Sequence, residues 1–514
     1  MTTQPSAESR SRNVEFWVIL AAILASAMAF IDSSALDVTA PALQADLGID
    51  ATQLLWIINS YMLTLSALML AGGALGDIFG RKRMFAIGIG LSLFASILCG
   101  LAQDPNFLIA ARALQGVGGA IMTPGSLAII SATVAQERRG RAIGTWATFA
   151  TLTTLLGPVL GGWLASLGLW RMIFFINVPV AAIALFALLR YVPESYGDRT
   201  RRVDIPGAVL VTVGLAALAF GFLQASDVGW GDPVVLAAIA AGVIALALFL
   251  LVERRSDHPM VPFSLFKSRT FSGTNLLTFF LYAALRFAPF FLVLNLQQAQ
   301  GYPPEVAGFA FLPFSVLLTL MSRWSGAWSD RIGARLPLII GPAITGIGFA
   351  MLALPGLTGG QNDYWTSYFP GVIALGIGMG ITVTPLTTAV ISAAPEESSG
   401  TASGINNAVA RTAGALGLAL VGSLAILYFT GVLQPRLTGA NIPAGSVDVM
   451  MANAGDFGAL SVPAELTGDM ASAANEAIRW AFVDTFRLVM IAAAVLAWIS
   501  AGMAALLVED KKSN

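Results

Sequence analysis

The stretch GGALGDIFGRKR (72–83) returns in altered form as SGAWSDRIGARL (325–336). Gly73, Asp77 and Gly80 fall on Gly326, Asp330 and Gly333 at a constant offset of 253 residues, and Arg81 has a counterpart close by in Arg335. Two further matches keep nearly the same spacing. TPGSLAIISA (123–132) aligns with TPLTTAVISA (384–393) at an offset of 261, and Gly140, Gly144 and Gly157 align with Gly400, Gly404 and Gly417 at 260. Three separate matches at almost one spacing mean a duplicated unit, so two homologous halves are predicted.

Composition says what the halves are made of. Of 514 residues, 56% are hydrophobic and only 11% charged, where a soluble domain carries about a quarter charged. The mean hydropathy is +0.77. Apolar stretches of about 20 residues recur along the chain, each enough to cross a hydrocarbon layer of about 30 Å. They lie at 15–38, 52–74, 84–102, 107–131, 142–166, 171–190, 205–225, 233–252, 271–298, 306–328, 335–355, 368–392, 403–431 and 483–508. An all-α polytopic membrane protein of about fourteen transmembrane helices follows; a membrane β-barrel would show short alternating segments instead. Segments 1–6 and 9–14 form the repeats and 7–8 an extra pair between them, a 6+2+6 plan. The expected units are a tail at 1–14, a six-helix bundle at 15–190, a two-helix insertion with linkers at 191–270, and a second bundle at 271–514 with an external loop at about 432–482. In duplicated transporters the substrate binds between the halves near the midplane.

Charge orients the chain. With the N-terminus in the cytoplasm, cytoplasmic pieces hold 20 of the 28 basic residues and external pieces only Arg171, Arg436 and Arg479. The positive-inside rule then puts both termini in the cytoplasm and the protein in the cytoplasmic membrane. ASAMA (25–29) has the Ala-x-Ala pattern of a cleavage site. Because the apolar run continues past it, the first segment is taken as a retained span. ELTGDMASAANEAIRWAF (465–482) has helix-forming composition, so either a short surface helix or a flexible spacer is expected there. The net charge of −1 gives no field for nucleic acid, the single Cys99 is expected to pack, and the lone His258 offers no metal site. No Gly-x-x-x-x-Gly-Lys-Ser/Thr loop is present, which disfavours an ATP-driven pump. Nothing supports an enzyme.

At these residues the sequence resembles the major facilitator superfamily, specifically its fourteen-helix drug:proton antiporter branch. GALGDIFGRKR (73–83) resembles the loop motif between helices 2 and 3. IAARALQGVGGA (109–120), with Arg112, Gln115 and Gly116, resembles the helix 4 motif. LLGPVLGGWL (155–164), with Gly157, Pro158, Gly161 and Gly162, resembles the helix 5 antiporter motif. IDSSALDVTAPAL (31–43) is similar to the helix 1 motif, and WRMIFFINVP (170–179) is a further family phrase. Asp37 stands where the family usually has asparagine.

The resemblance implies alternating access, with protons as the coupling ion and no other cofactor. It assigns proton coupling to Asp32 and Arg112, and less firmly to Asp37. It implies a conformational gate at Gly73, Asp77, Gly80 and Arg81, repeated at Asp330 and Arg335. Small residues of the helix 5 motif admit close packing, which explains them as well as an antileak role does. Asp32 and Asp37, five residues apart, are separated by about 140° and 7.5 Å on a helix, so they do not form one acid pair. Asp37 is read either as a solvated helix-end carboxylate or as part of the proton route.

Intramembrane arginines cost about 2.5 kcal/mol or more and should face a cavity or partner. Adding the 253 offset to Asp32 gives Leu285, next to Arg286, so Asp32 and Arg286 are expected to oppose one another across the cavity. Arg411 lies on helix 13, while Arg323 and Arg487 sit nearer helix ends and are expected to snorkel. The remaining cavity candidates are Asp32 itself, Trp56, Tyr61, Trp146, Phe149, Tyr282, Phe287, Phe290, Asn406 and Asn407. For each aromatic, core or lipid packing is the competing role. The function expected is a proton-coupled efflux antiporter for several small amphipathic molecules, acting as a monomer in the bilayer. The alternative is a dedicated exporter of an anionic or zwitterionic metabolite or lipid. A non-transporting receptor on the same fold is disfavoured by the intact motifs.

Overall fold

The computed structural model describes residues 7–196, 204–256, 259–395, 399–454 and 460–509, and regular structure among them is entirely helical. The first half holds α1 (Ala7–Leu47), α2 (Ala51–Phe79), α3 (Arg81–Leu101), α4 (Pro105–Thr133), α5 (Gln136–Ser166) and α6 (Met172–Tyr191, broken at Ile176). The insertion is α7 (Ile205–Val228) and α8 (Pro233–Arg255). The second half holds α9 (Arg269–Leu294), α10 (Leu312–Ile332), α11 (Arg335–Leu352), α12 (Phe369–Ser392), α13 (Ser399–Gly439) and α14 (Asp469–Leu507). A π-turn, Asn295–Ala299, ends α9, and a short helix, Pro304–Phe309, leads into α10.

Among the described residues, twelve helices are long and apolar enough to cross a membrane, and α2, bent by 52° between Met69 and Ala71, makes a thirteenth. The 31-residue α5, which opens on the charged QERRGR, occupies the remaining expected position. Helix starts are written in the sequence. Asp50 accepts from the Gln53 amide at 2.6 Å while the Gln53 side chain accepts from the Asp50 amide. Asp104, Asp204 and Asp232 cap α4, α7 and α8 in the same manner, each followed by proline in the first turn. Such caps stabilise by about 1 kcal/mol.

The two halves pack alike. α1 lies on α4, α5 and α6 as α9 lies on α12, α13 and α14; α4 packs on α2 and α3 as α12 packs on α10 and α11. The likeness extends to single atoms. A Cβ at Gly118 would meet the Ser92 amide nitrogen at 2.6 Å and the Gly88 carbonyl at 3.0 Å. One at Gly378 would meet the Thr345 nitrogen at 2.6 Å and the Gly341 carbonyl at 2.7 Å. These positions correspond at the offsets of 253 and 260 read from the sequence. α7 and α8 pack on one another, and α7 rests against both α2 and α13, at the seam between halves.

The 432–482 segment is a correction. Most of it is not loop: α13 continues to Gly439, a short helix covers Ala444–Ala452, and α14 starts at Asp469, so Trp480 lies within the last long helix rather than on a separate surface helix. The extensions hold each other. Phe429 packs against Phe482 with ring centres 5.0 Å apart, and Arg436 is ion-paired with Asp484, which also pairs with Arg487 at 3.5 Å. Arg487 thus has an acidic partner beyond simple snorkelling.

Candidate functional site

Among the described residues, two ion pairs join α1 to a facing helix inside the bundle, one through Asp32 and one through Asp37. Asp32 pairs with Arg112 of α4, both 1% exposed. The Arg112 guanidinium also donates to Gln115 Oε1 at 2.6 Å and to the Ile57 carbonyl at 3.3 Å, and its carbon lies 4.5 Å from the centre of the Tyr61 ring. Gln115 donates onward to Ser96 Oγ at 2.8 Å, which also accepts from Asn177 at 2.9 Å. Asp32 Oδ1 has no hydrogen-bond partner among the described residues. Beside this network Tyr61, Ser92, Gln115 and Asn177 border a cavity of about 10 Å³, the size of a single water. Ser96 and Asn177 were not anticipated. Asn177 lies inside the quoted WRMIFFINVP phrase, but nothing in the sequence marks it as facing α3.

Asp37 pairs elsewhere. Its carboxylate takes two bonds from Arg286 of α9, at 2.6 and 3.0 Å. The partner expected for Arg286 was Asp32, and that assignment is corrected. The halves superimpose differently at these helices: Gly157 faces Ser34 while Gly417 faces Ala283 at 3.0 Å, and those two residues are 249 positions apart rather than 253. The shift brings Arg286 level with Asp37. Asp37 is also no solvated helix-end group, being 12% exposed and bridged across the halves.

That bridge borders a cavity of about 600 Å³ between the halves. Its walls are Phe30, Ser34, Asp37 and Val38 of α1, Pro158 of α5, and residues of α9, α10 and α12 including Tyr282, Arg286, Phe311 and Met379. Among the lining residues the only formal charges are Asp37 and Arg286. Several expected wall residues stand elsewhere. Asp32 and Tyr61 belong to the Arg112 network instead. Trp56 packs on Phe220 of α7 at 6.2 Å. Trp146 donates to Ser26 of α1 at 2.9 Å, inside the first half. Phe149 is 45% exposed and Phe290 packs on Phe291. Phe287 is fully buried. Asn406 donates to Asn275 and Thr278 of α9, tying α13 to α9, while Asn407 bonds within its own helix. Trp56, Trp146, Asn406 and Asn407 each have an intrahelical or interhelical partner, which periodicity does not distinguish from a cavity role. Arg411 of α13 makes no ion pair with a described residue; its electrostatic neighbour is Tyr61.

The helix 5 motif closes one end of the cavity. A Cβ at Gly161 would meet the Ala35 carbonyl of α1 at 2.5 Å, and one at Gly162 the Pro304 carbonyl of the other half at 2.5 Å. Gly308 faces the Pro158 carbonyl in return, and Gly422 of α13 faces Leu55 of α2 at 2.7 Å. Gln297 donates to the Val38 carbonyl at 3.1 Å. These cross-half contacts all lie toward the end opposite the two loop motifs, here called the far end.

At the motif end, Arg81 holds Asp77 with bonds of 2.8 and 3.0 Å. Gly80 turns the chain at φ 108°, a conformation glycine alone takes without strain. A residue not foreseen completes the turn: Glu194, after α6, accepts from the Lys82 and Arg83 amides at 2.9 and 3.2 Å. Lys82 donates to the Leu189 carbonyl at the end of α6. In the second copy Gly333 has φ 86° and Arg335 donates to the Ala505 carbonyl at the end of α14. The side chains of Asp330 and Arg323 lie outside the described residues, as does His258. Among the described residues, the hydrogen bonds of Asp77 and Arg81 stay within their own half.

Comparison with known proteins places this geometry. The family description Major Facilitator Superfamily matches residues 22–418. The multidrug resistance protein Stp of Mycobacterium tuberculosis is 33% identical over 415 residues, 80% of this chain and 76% of that protein. The tetracenomycin C resistance and export protein of Streptomyces glaucescens is 29% identical over 495 residues, 95% of this chain and 90% of that protein. In fold, the chain is similar to a bacterial homolog of the human lysosomal transporter Spinster, solved in an inward-facing, unoccupied conformation. The TM-score is 0.63 at 18% identity, over 95% of this chain and 97% of that one.

Proposed function

Since the chain belongs to the Major Facilitator Superfamily, we propose that it is a proton-coupled antiporter exporting small amphipathic molecules of more than one kind. It works by alternating access in the cytoplasmic membrane, with both termini in the cytoplasm. The observation that carries the reading is the cavity of about 600 Å³ between the halves, walled by apolar side chains around one ion pair. That volume suits small molecules, and few directed polar groups means few demands on their shape. Relatives named for multidrug resistance and for antibiotic export support the direction of transport. Contacts at the far end and a basic motif end correspond to a cavity facing the cytoplasm.

Asp32 is the proton carrier in this reading, with Arg112 as its counter-charge. A proton falling through about 100 mV supplies about 2.3 kcal/mol, and each unit of pH gradient about 1.4 kcal/mol. One proton thus sustains roughly a 50-fold gradient of an uncharged substrate on voltage alone. Arg286 in the wall and Arg411, which has no acidic partner among the described residues, favour a second reading: a dedicated exporter of an anionic or zwitterionic compound.

The test is a pair of probes in proteoliposomes under an imposed pH gradient: ethidium, a lipophilic cation, and anilinonaphthalene sulfonate, a lipophilic anion. Ethidium accumulation that collapses with the gradient supports the first reading, and transport of the sulfonate alone supports the second. Accumulation indifferent to the gradient contradicts proton coupling.

A further inference from the structure

Two aspartates on one helix hold two arginines, and the pairs differ in one mechanical respect. Asp32 and Arg112 belong to the same half, on α1 and α4. Asp37 and Arg286 belong to different halves, on α1 and α9. In alternating access the halves rock as nearly rigid bodies about a central site. Such rocking keeps distances within a half and changes those between halves, so only the Asp37–Arg286 distance follows the gate.

We propose that the Asp37–Arg286 bridge is a second proton-binding site, distinct from Asp32, whose hold on the proton is set by opening and closing of the far end. The proposal rests on the exporter reading and deepens it. With the far end shut, as here, Arg286 lies against Asp37 and holds it through two hydrogen bonds. When the far end parts, Arg286 withdraws, and an apolar-walled carboxylate left without its counter-charge binds a proton from that side. Reclosing presses Arg286 back and returns the proton to the cavity. One proton is taken up at the far side and one released on the cavity side per cycle, the direction that antiport against an exported substrate requires.

The charged surroundings are compatible with this. On α1 itself Asp32 is turned away and held by Arg112 of α4. The Pro304–Phe309 turn contributes Glu305, whose Oε2 has no partner among the described residues and which faces Gly162 of α5. α13 contributes Arg411, three residues before Gly414, whose Cβ position lies 3.3 Å from Arg286 Cβ. α5 and α12 line the cavity with Pro158, Met379 and Val383, none ionisable, and α10 lines it without a charge. Among the described residues, Asp37 is therefore the one carboxylate that lines the cavity and pairs with a charge of the opposite half.

The gate itself is the readout, with the proton as the only probe. Spin labels at Ser166→Cys and Gln361→Cys, exposed positions at the far end of each half, report its opening in a Cys99→Ser background without substrate. In the otherwise unaltered protein the open-to-shut ratio should rise as pH falls, with a limiting slope of about tenfold per unit for one linked proton. Asp37→Asn should stay open at every pH. A pH response that survives Asp37→Asn, or is missing from the unaltered protein, overturns the proposal. Should Asp37→Asn fail to fold, the exchange Asp37→Arg with Arg286→Asp rebuilds the bridge with its polarity reversed. A folded exchange variant should regain the shut state at high pH, and one that never shuts also overturns the proposal. Failure of gradient-driven accumulation in vesicles, a separate measurement, would instead count against the exporter reading.

Discussion

Asp32 and Arg112 neutralise one another where water is almost absent, and the cost of separating them is large. Removing one partner of a buried pair leaves an uncompensated charge, at about 3–5 kcal/mol. Arg112→Ala is therefore expected to lower the unfolding temperature in detergent far more than the double variant Asp32→Asn/Arg112→Gln, which leaves no net charge behind. Equal losses in the two would mean that the pair's charge is not what the site depends on. Asp32→Asn alone should keep the fold and lose proton-driven transport. At this scale four charged residues singled out in the sequence prove to be paired with one another, one of them with a partner other than the one expected. The positions of Asp32, Asp37, Arg112 and Arg286 were evident because charges inside apolar runs stand out. The pairing of Arg286 was not, since the helix 1 and helix 9 registers differ by four residues from the loop-motif offset and one residue already turns a side chain by about 100°. The aromatic candidates failed for a plainer reason: Trp56, Trp146 and Phe149 occupy predominantly apolar segments, in which hydropathy gives no direction for a single ring.

Among the helices, α5 shows how a motif becomes a surface. Gly161 admits the α1 backbone and Gly162 the backbone of the other half, so the same turn of helix serves packing within a half and closure between halves. Gly162→Val should therefore hold the far end apart, lengthening the distance between labels at Ser166 and Gln361 and depressing transport with the fold intact. An unchanged distance distribution would confine that glycine to a packing role. At the motif end, Glu194 caps α3 from another helix's exit. Glu194→Ala should cost about 1 kcal/mol of stability, read as a lower unfolding temperature, and no change would show that the two amides find other partners. The existence of each long helix was legible from hydropathy alone. The ends of α13 and α14 were not, because beyond the apolar stretch they are stabilised by each other, through Arg436 with Asp484 and Phe429 with Phe482. Amphipathic ends of this kind fall below a hydropathy threshold although they are helical.

The molecule as a whole is two copies of one packing scheme closed at one end. The duplication was legible from the two loop motifs and from Gly140, Gly144 and Gly157 with their counterparts, and the helix crossings that admit no side chain, at Gly88 with Gly118 and at Gly341 with Gly378, keep the same spacing. The seam between the copies was not, since it joins residues such as Gly162 and Pro304 that have no counterpart contact inside either half. Placing α7 against both α2 and α13 braces that seam along one side. In the proposed exporter, protons and substrate cross this seam in opposite directions. Vesicles with a pH dye in the lumen and no initial gradient test it most directly, when ethidium or anilinonaphthalene sulfonate is added outside. For whichever probe enters, the lumen should turn alkaline as protons leave in exchange, and vesicles holding Asp32→Asn should show no such change. A probe that enters while luminal pH stays constant or falls would contradict antiport.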